Sequence, residues 1–120
     1  MMHLTKTEEE LMQLFWKYGS STISALIDRM KAPKPPHSTV SSLARILERK
    51  GFLAHNTYGR TFEYFPIVQK QEYRKNSIYR LAASYFNGSV EEMVSFLVRE
   101  KKIDRKTLEN LIDELENNES

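Results

Sequence analysis

The chain contains no cysteine, which excludes disulfides, thiolate metal sites and cysteine nucleophiles together and fits a reducing compartment. Its uncharged runs fall far short of the ~20 apolar residues that span a bilayer. The first residues, Met1-Met2-His3-Leu4-Thr5-Lys6, lack the apolar core of a secretion signal. A cytoplasmic protein without membrane insertion is expected. The three histidines, His3, His37 and His55, have no metal-ligand spacing. Paired carboxylates, a glycine-rich phosphate loop and a nucleophile elbow are all missing. No enzyme, no cofactor and no metal are expected. Glu8-Glu9-Glu10 reads as the negative first turn of a helix rather than a cation site.

Charge of either sign is nearly balanced, with a net of +2, so the distribution matters more than the sum. Residues 1–70 hold ten Lys/Arg against six Asp/Glu, and residues 71–120 hold eight against ten. From Arg29 to Arg60 seven bases face one acid, Glu48, whereas the last fourteen residues carry five acids and no base. This asymmetry suggests a polyanion-binding half and a separate assembly half. The 120 residues with 40% hydrophobic and 28% charged composition suit an ordinary globular protein.

Thr7-x-x-Glu10 has the form of a capping box for a first helix. Leu11, Leu14, Phe15 and Tyr18 recur within it at helical spacing, and Gly19 stands where a C-cap glycine would. Trp16 is expected in the core or at the seam of this domain. Ser20-Ser21-Thr22 reads as a polar break. Ser24 or Thr22 can cap a short second helix bearing Ile23, Leu26, Ile27 and Met30. Ala32-Pro33-Lys34-Pro35-Pro36 cannot be helical. A third helix is predicted from His37 or Ser38 to Gly51, with Val40, Leu43, Ala44 and Leu47 as its buried stripe. A hairpin follows: residues 52–56, a turn at 57–60, then Thr61-Phe62-Glu63-Tyr64-Phe65, with Pro66 ending the second strand at an edge.

Helix, helix, proline turn, helix and hairpin is the order of a winged helix-turn-helix. The remainder reads as helices: residues 70–86, stopping at Asn87-Gly88; a segment opened by a second capping box, Ser89-x-x-Glu92; and a last helix capped by Asp104. The expected fold is mainly α with a small β-hairpin, a winged helix-turn-helix (residues 1–68) followed by a helical dimerisation tail (residues 69–120).

The third helix has the character of a DNA reader. Ser38, Thr39, Ser41 and Ser42 supply small hydroxyl side chains that allow close approach to a groove about 12 Å wide. Arg45, one turn further along, adds reach to a guanine edge or a phosphate. At the hairpin tip Tyr58-Gly59-Arg60 sets a flexible glycine between an aromatic and a cation, suited to phosphates or a minor groove. Three short amphipathic helices in residues 73–115 have too little to bury among themselves, and a second copy solves that problem. The dimer residues expected are Tyr85, Val94, Leu97, Leu108, Leu111, Ile112 and Leu115. Two other readings stand beside this one. The first is a winged-helix regulator that senses a small ligand in a pocket lined by Tyr64, Tyr79, Tyr85 and Phe86. The second is a winged helix used only for protein contact, whose exposed face should be apolar or acidic.

From Pro33 to Tyr73 the sequence resembles the BlaI/MecI/CopY, or penicillinase repressor, family of bacterial transcriptional repressors. The resemblance rests on Ser38-Thr39-Val40-Ser41-Ser42-Leu43, on Arg45-Ile46-Leu47-Glu48-Arg49-Lys50-Gly51-Phe52-Leu53 and on Tyr58-Gly59-Arg60-Thr61-Phe62-Glu63-Tyr64-Phe65-Pro66. The opening helix with its Leu14-Phe15-Trp16 and the order of the tail extend it over nearly the whole chain. It implies a homodimer that binds palindromic double-stranded operator DNA. In the family's resistance branch it also implies a membrane sensor metalloprotease that triggers cleavage within the dimerisation helices. The cleaved bond aligns with Ser95-Phe96, where Ser95 stands in place of the asparagine of the relatives best known for cleavage. The copper branch senses metal through clustered cysteines, which this chain lacks.

Overall fold

The computed structural model describes residues 3–100, 104–107, 109, 110 and 113. The elements are α1 (Lys6–Tyr18), β1 (Ser21–Thr22), α2 (Ile23–Asp28), α3 (His37–Arg49), β2 (Leu53–Tyr58), β3 (Thr61–Pro66), α4 (Lys70–Tyr85) and α5 (Val90–Arg99). They fall into two compact units, Met1–Arg74 and Lys75–Ser120. The mainly α winged-helix architecture expected from the sequence is present, with its hairpin enlarged to a three-stranded antiparallel sheet of order β1-β3-β2.

Three local expectations need correction. The capping box of α1 is Thr5-x-x-Glu8, two residues earlier than Thr7-x-x-Glu10. The Thr5 hydroxyl accepts the Glu8 amide at 3.2 Å, and the Glu8 carboxylate accepts the Thr5 amide at 2.9 Å. Both pairs share the Thr-x-x-Glu spacing, and the earlier one wins because Glu8 also pairs with Lys50 at the end of α3. The polar break at residues 20–22 is partly a strand: Ser21 pairs with Tyr64 and Thr22 with Glu63. β3 is therefore central rather than an edge. Pro66 is tolerated because β1 reaches only Tyr64, leaving the other flank at Pro66 unpaired. The turn is also tighter than residues 57–60, since Tyr58 pairs with Thr61 and only Gly59-Arg60 remain between the strands.

The core of the first unit is made by one face of each helix against the sheet. Leu11, Met12 and Phe15 of α1, Leu26 of α2, and Val40, Ala44 and Leu47 of α3 are buried with Phe52, Leu53, Tyr64 and Tyr73. Leu43, predicted within the α3 stripe, is only partly buried at its margin. Thr22, one of the two caps considered for α2, accepts the Ala25 amide. α3 ends in a Schellman arrangement: Gly51, at φ 85°, donates to the Glu48 carbonyl and Phe52 donates to Leu47. Leu47 and Phe52 are both buried, so the last turn of α3 is closed by hydrogen bonds and an apolar contact together.

Trp16 lies at a seam. Its indole Nε1–H donates to the Val68 carbonyl at 2.9 Å, and its ring meets Tyr73 at 5.7 Å. α1 is thereby tied to the segment that leads into α4.

In the second unit Asn87 and Gly88 both take positive φ at the end of α4, the expected stop. Ser89 accepts the Glu92 amide at 3.1 Å, half of the anticipated box. Asp104 accepts the Thr107 amide at 2.7 Å, and residues 105–107 are helical. The Phe86 and Phe96 rings lie 5.6 Å apart. Among the described residues no helix is long and apolar enough to cross a membrane.

One ion pair joins the start of α1 to the end of α3. The Lys50 ammonium donates to the Glu8 carboxylate at 2.7 Å, with the Glu8 side chain 5% and the Lys50 side chain 20% exposed. Glu8 is thus more than one acid in a negative first turn. Burial pushes its carboxyl up, but the hydrogen bonds from Lys50 and the Thr5 amide and the charge of Lys50 together hold it below the usual carboxylate range. The lowered value means that this pair stabilises the fold above the unfolded-chain carboxyl pKa and that the contribution fades as pH falls through the folded value. The two partners are unequal. Lys50→Met strands a buried carboxylate and should cost about 2–3 kcal/mol at neutral pH, whereas Glu8→Gln leaves an ammonium that reaches water and should cost about 1 kcal/mol. Without the cation, the burial penalty on Glu8 is opposed only by its bonds to Thr5, and the carboxylate neutralises more readily. The Lys50→Met deficit should therefore shrink on acidification below roughly pH 4.5, as read from urea unfolding at several pH values.

Candidate nucleic-acid interface

α3 carries two opposite faces. Val40, Ala44 and Leu47 are almost wholly removed from solvent, while Ser38, Thr39, Ser42, Arg45 and Arg49 are exposed. Ser41 is half-buried at the edge between them, its hydroxyl 3.2 Å from His37 Nδ1. The helix begins after Pro36 with no side-chain cap. By contrast, hydroxyls cap α1, α2 and α5. The Thr39 and Val40 amides donate to the Pro36 carbonyl, and no side chain caps those of His37 and Ser38.

The wing leans on the same face. A groove of about 610 Å³ is bounded by Thr22 and Ser24 at the start of α2, by Ser41 and Arg45 of α3, and by Arg60 and Phe62 of the wing. Of the residues singled out in the sequence, the fold brings Ser41, Arg45 and Arg60 into this groove. Ser38, Thr39 and Ser42 lie on the exposed surface of α3 beside it. Ser42 and Arg45, with Glu48 and Arg49, border a second depression of about 570 Å³ on the outer side. Tyr58, 61% exposed at the end of β2, lies outside the groove.

Glycine sets the wing tip. Gly59 has φ 62° and Arg60 does not have positive φ, the pattern of a two-residue turn with glycine at its first central position. This short connection keeps Arg60 within reach of the groove.

Sequence reasoning missed three participants. Phe62, 42% exposed, lies on the groove wall. Glu48 and His55 form a contact across the domain: His55 Nδ1 is 2.8 and 2.9 Å from the two carboxylate oxygens of Glu48. No pattern rule links a helix residue to a strand residue seven positions later, although the seven-base segment with its single acid could have drawn attention to Glu48. Tyr64 lies beneath this contact, and burial, with the negative charge of Glu48, raises its phenol pKa against the opposing effect of Arg45. It therefore acts as a neutral hydroxyl at ordinary pH.

The aromatics considered for a small-ligand pocket are divided between the two units. Tyr64 is in the core of the first unit, Phe86 meets Phe96, and Tyr79 and Tyr85 are exposed. The exposed surface of α3 is hydroxyl-rich and basic, contrary to what a purely protein-binding face should offer. Among the described residues no group of three or more His, Cys, Asp or Glu could hold a metal ion.

A basic, hydroxyl-lined helix flanked by a hairpin with a cationic tip defines the winged-helix class of DNA-binding domains. The chain belongs to the penicillinase repressor family, whose model matches residues 4–117. It is 24% identical over 114 residues to the penicillinase repressor of Bacillus licheniformis, covering 94% of this chain and 89% of that one. The solution structure of the DNA-binding domain of the repressor BlaI aligns with a TM-score of 0.52 and 28% identity, over 59% of this chain and 88% of that chain. A structure of the CopR repressor aligns over 57% of this chain and 100% of that chain, with a TM-score of 0.47 and 22% identity. The chain is accordingly a transcriptional repressor by family, and not an enzyme.

A Cβ added at Gly59 would meet nothing within 4 Å, so substitution there costs backbone strain rather than a clash. Gly59→Val should lower stability by about 1–2 kcal/mol, with Gly59→Asn costing less. Thermal unfolding of the two variants checks the order.

Proposed function

We propose that the chain acts in the cytoplasm as a homodimer that represses transcription by binding a palindromic operator in double-stranded DNA. The observation that carries this reading is the convergence of Arg45 from α3 and Arg60 from the wing tip on one groove. α3 enters the major groove with Ser38, Thr39, Ser41 and Ser42 close to the duplex. Arg45 reads a base edge, and Arg60 with Tyr58 rides on the flanking backbone. One such surface makes few contacts. Two of them, spaced by the tail about one helical turn or ~34 Å apart, read both half-sites.

Support for the tail as the clasp comes from apolar surface left uncovered. Ile78, Tyr79, Leu81, Tyr85, Phe96 and Val98 are exposed, with Tyr85 the most open at 76%. Val94 and Leu97 are half-buried. Leu108, Leu111, Ile112 and Leu115 lie outside the described residues. Closure by a second copy removes this apolar surface from water.

Relief by a sensor metalloprotease would act on the bond between Ser95 and Phe96. That bond lies inside α5, and the Phe96 ring packs on Phe86. A protease binds its substrate extended, so cutting requires α5 to open locally first. A cut there separates the end of α5 from its start, weakens the dimer and removes the gain from engaging two half-sites at once.

Two measurements test the reading. Arg60→Ala should weaken binding to operator and mixed-sequence duplexes alike, by about 1 kcal/mol. Arg45→Ala should cost about 1–3 kcal/mol on the operator and less on other DNA. Equal losses on both duplexes reassign Arg45 to a phosphate. Sedimentation should show a dimer at micromolar concentration that Leu97→Asp dissociates, with operator affinity lost alongside. A monomer that keeps tight operator binding overturns the dimeric mechanism.

A further inference from the structure

The apolar core anchors only the base of the wing. Along β2, Leu53 is buried, Ala54 and His55 are half-buried, and Asn56, Thr57 and Tyr58 are exposed. On the face of the sheet that meets α3, Leu53 is opposite Pro66, His55 opposite Tyr64 and Thr57 opposite Phe62. His55 is therefore the last side chain of β2 that can connect the hairpin to α3 before the strand runs out to its tip. It makes one such connection and a second contact within the hairpin. Its Nδ1 is shared between both oxygens of Glu48 on α3, and its ring stacks on Phe62 of β3 at 4.1 Å and 15°. Phe62 and Arg60 line the same groove.

We infer that Glu48, His55 and Phe62 form a strut that fixes the wing against the third helix, and that His55 is a positioning residue for the Arg60 contact with DNA. The inference rests on the DNA-binding reading given above. His55 does not itself line the groove; it acts by holding β3, and through β3 the tip. Without it, the outer hairpin is fixed only by its ladder, and Arg60 samples directions away from the duplex.

The test is a double-variant cycle on a mixed-sequence DNA duplex. His55→Ala and Arg60→Ala should each weaken binding about five- to tenfold and lower the salt dependence by about one phosphate contact. The double variant should be no weaker than the weaker single one. His55→Phe keeps the ring on Phe62 while removing the bond to Glu48, so it retains the fold and should still be sub-additive with Arg60→Ala. Additive losses in the cycle overturn the strut while leaving the DNA-binding reading intact. An Arg60→Ala variant that binds as well as the parent overturns the strut and the wing contact together. Failure of the parent chain to bind any duplex defeats both readings.

Discussion

The outward presentation of α3 depends on how completely its opposite side is buried. Val40, Ala44 and Leu47 expose 2% or less of their surface, so the helix cannot roll without opening the core. A rotation large enough to hide Arg45 would bring Leu47 into water and cost most of the ~2 kcal/mol that its burial supplies. The apolar stripe fixes the azimuth of the helix, and two polar contacts near its C-terminal end constrain it further. Lys50 binds Glu8 of α1 on one side, and Glu48 binds His55 of β2 on the other. Two residues of one helix end, Glu48 and the C-capping Lys50, are thus tied to both neighbouring elements. The N-terminal end, which carries the hydroxyls, has no comparable tether.

This division of labour explains why one short domain can be both firm and open. Ordered closure is concentrated where the surface is not needed. The Schellman arrangement at Gly51 and the buried Phe52 complete the α3 terminus that faces the protein, while the terminus that faces solvent is left uncapped. The wing repeats the pattern: Leu53 is sealed in the core, and the strand becomes progressively exposed towards Tyr58. The proposed DNA-binding surface occupies the ends from which packing has been withdrawn.

The parts legible in the sequence were those written in short-range rules. Apolar spacing in α1 and α3, the prolines before His37, Gly59 at the turn and Asn87-Gly88 after α4 all act within a few residues. The misread parts depended on partners distant in the chain. Thr5 rather than Thr7 caps α1 because Glu8 binds Lys50, 42 residues away. Ser21-Thr22 becomes a strand because β3 offers it a free flank, and two residues carry no strand signal of their own. Glu48 looked like the lone acid in a basic stretch, and its role became visible only with His55 placed opposite. Among the site residues, Arg45 and Arg60 could be paired from the winged-helix order, whereas Phe62 was indistinguishable from any aromatic that favours a strand.

Trp16 is the single tryptophan of the chain, and its indole is held by the Val68 carbonyl beside Tyr73. Its ultraviolet emission is therefore a native gauge of one place: the point where the opening helix grips the strand-to-helix connection. Any event that pulls that connection away exposes the indole to water and shifts its emission to longer wavelength. The chain thus reports on the integrity of its own first unit without an added label, separately from whatever happens further along the tail.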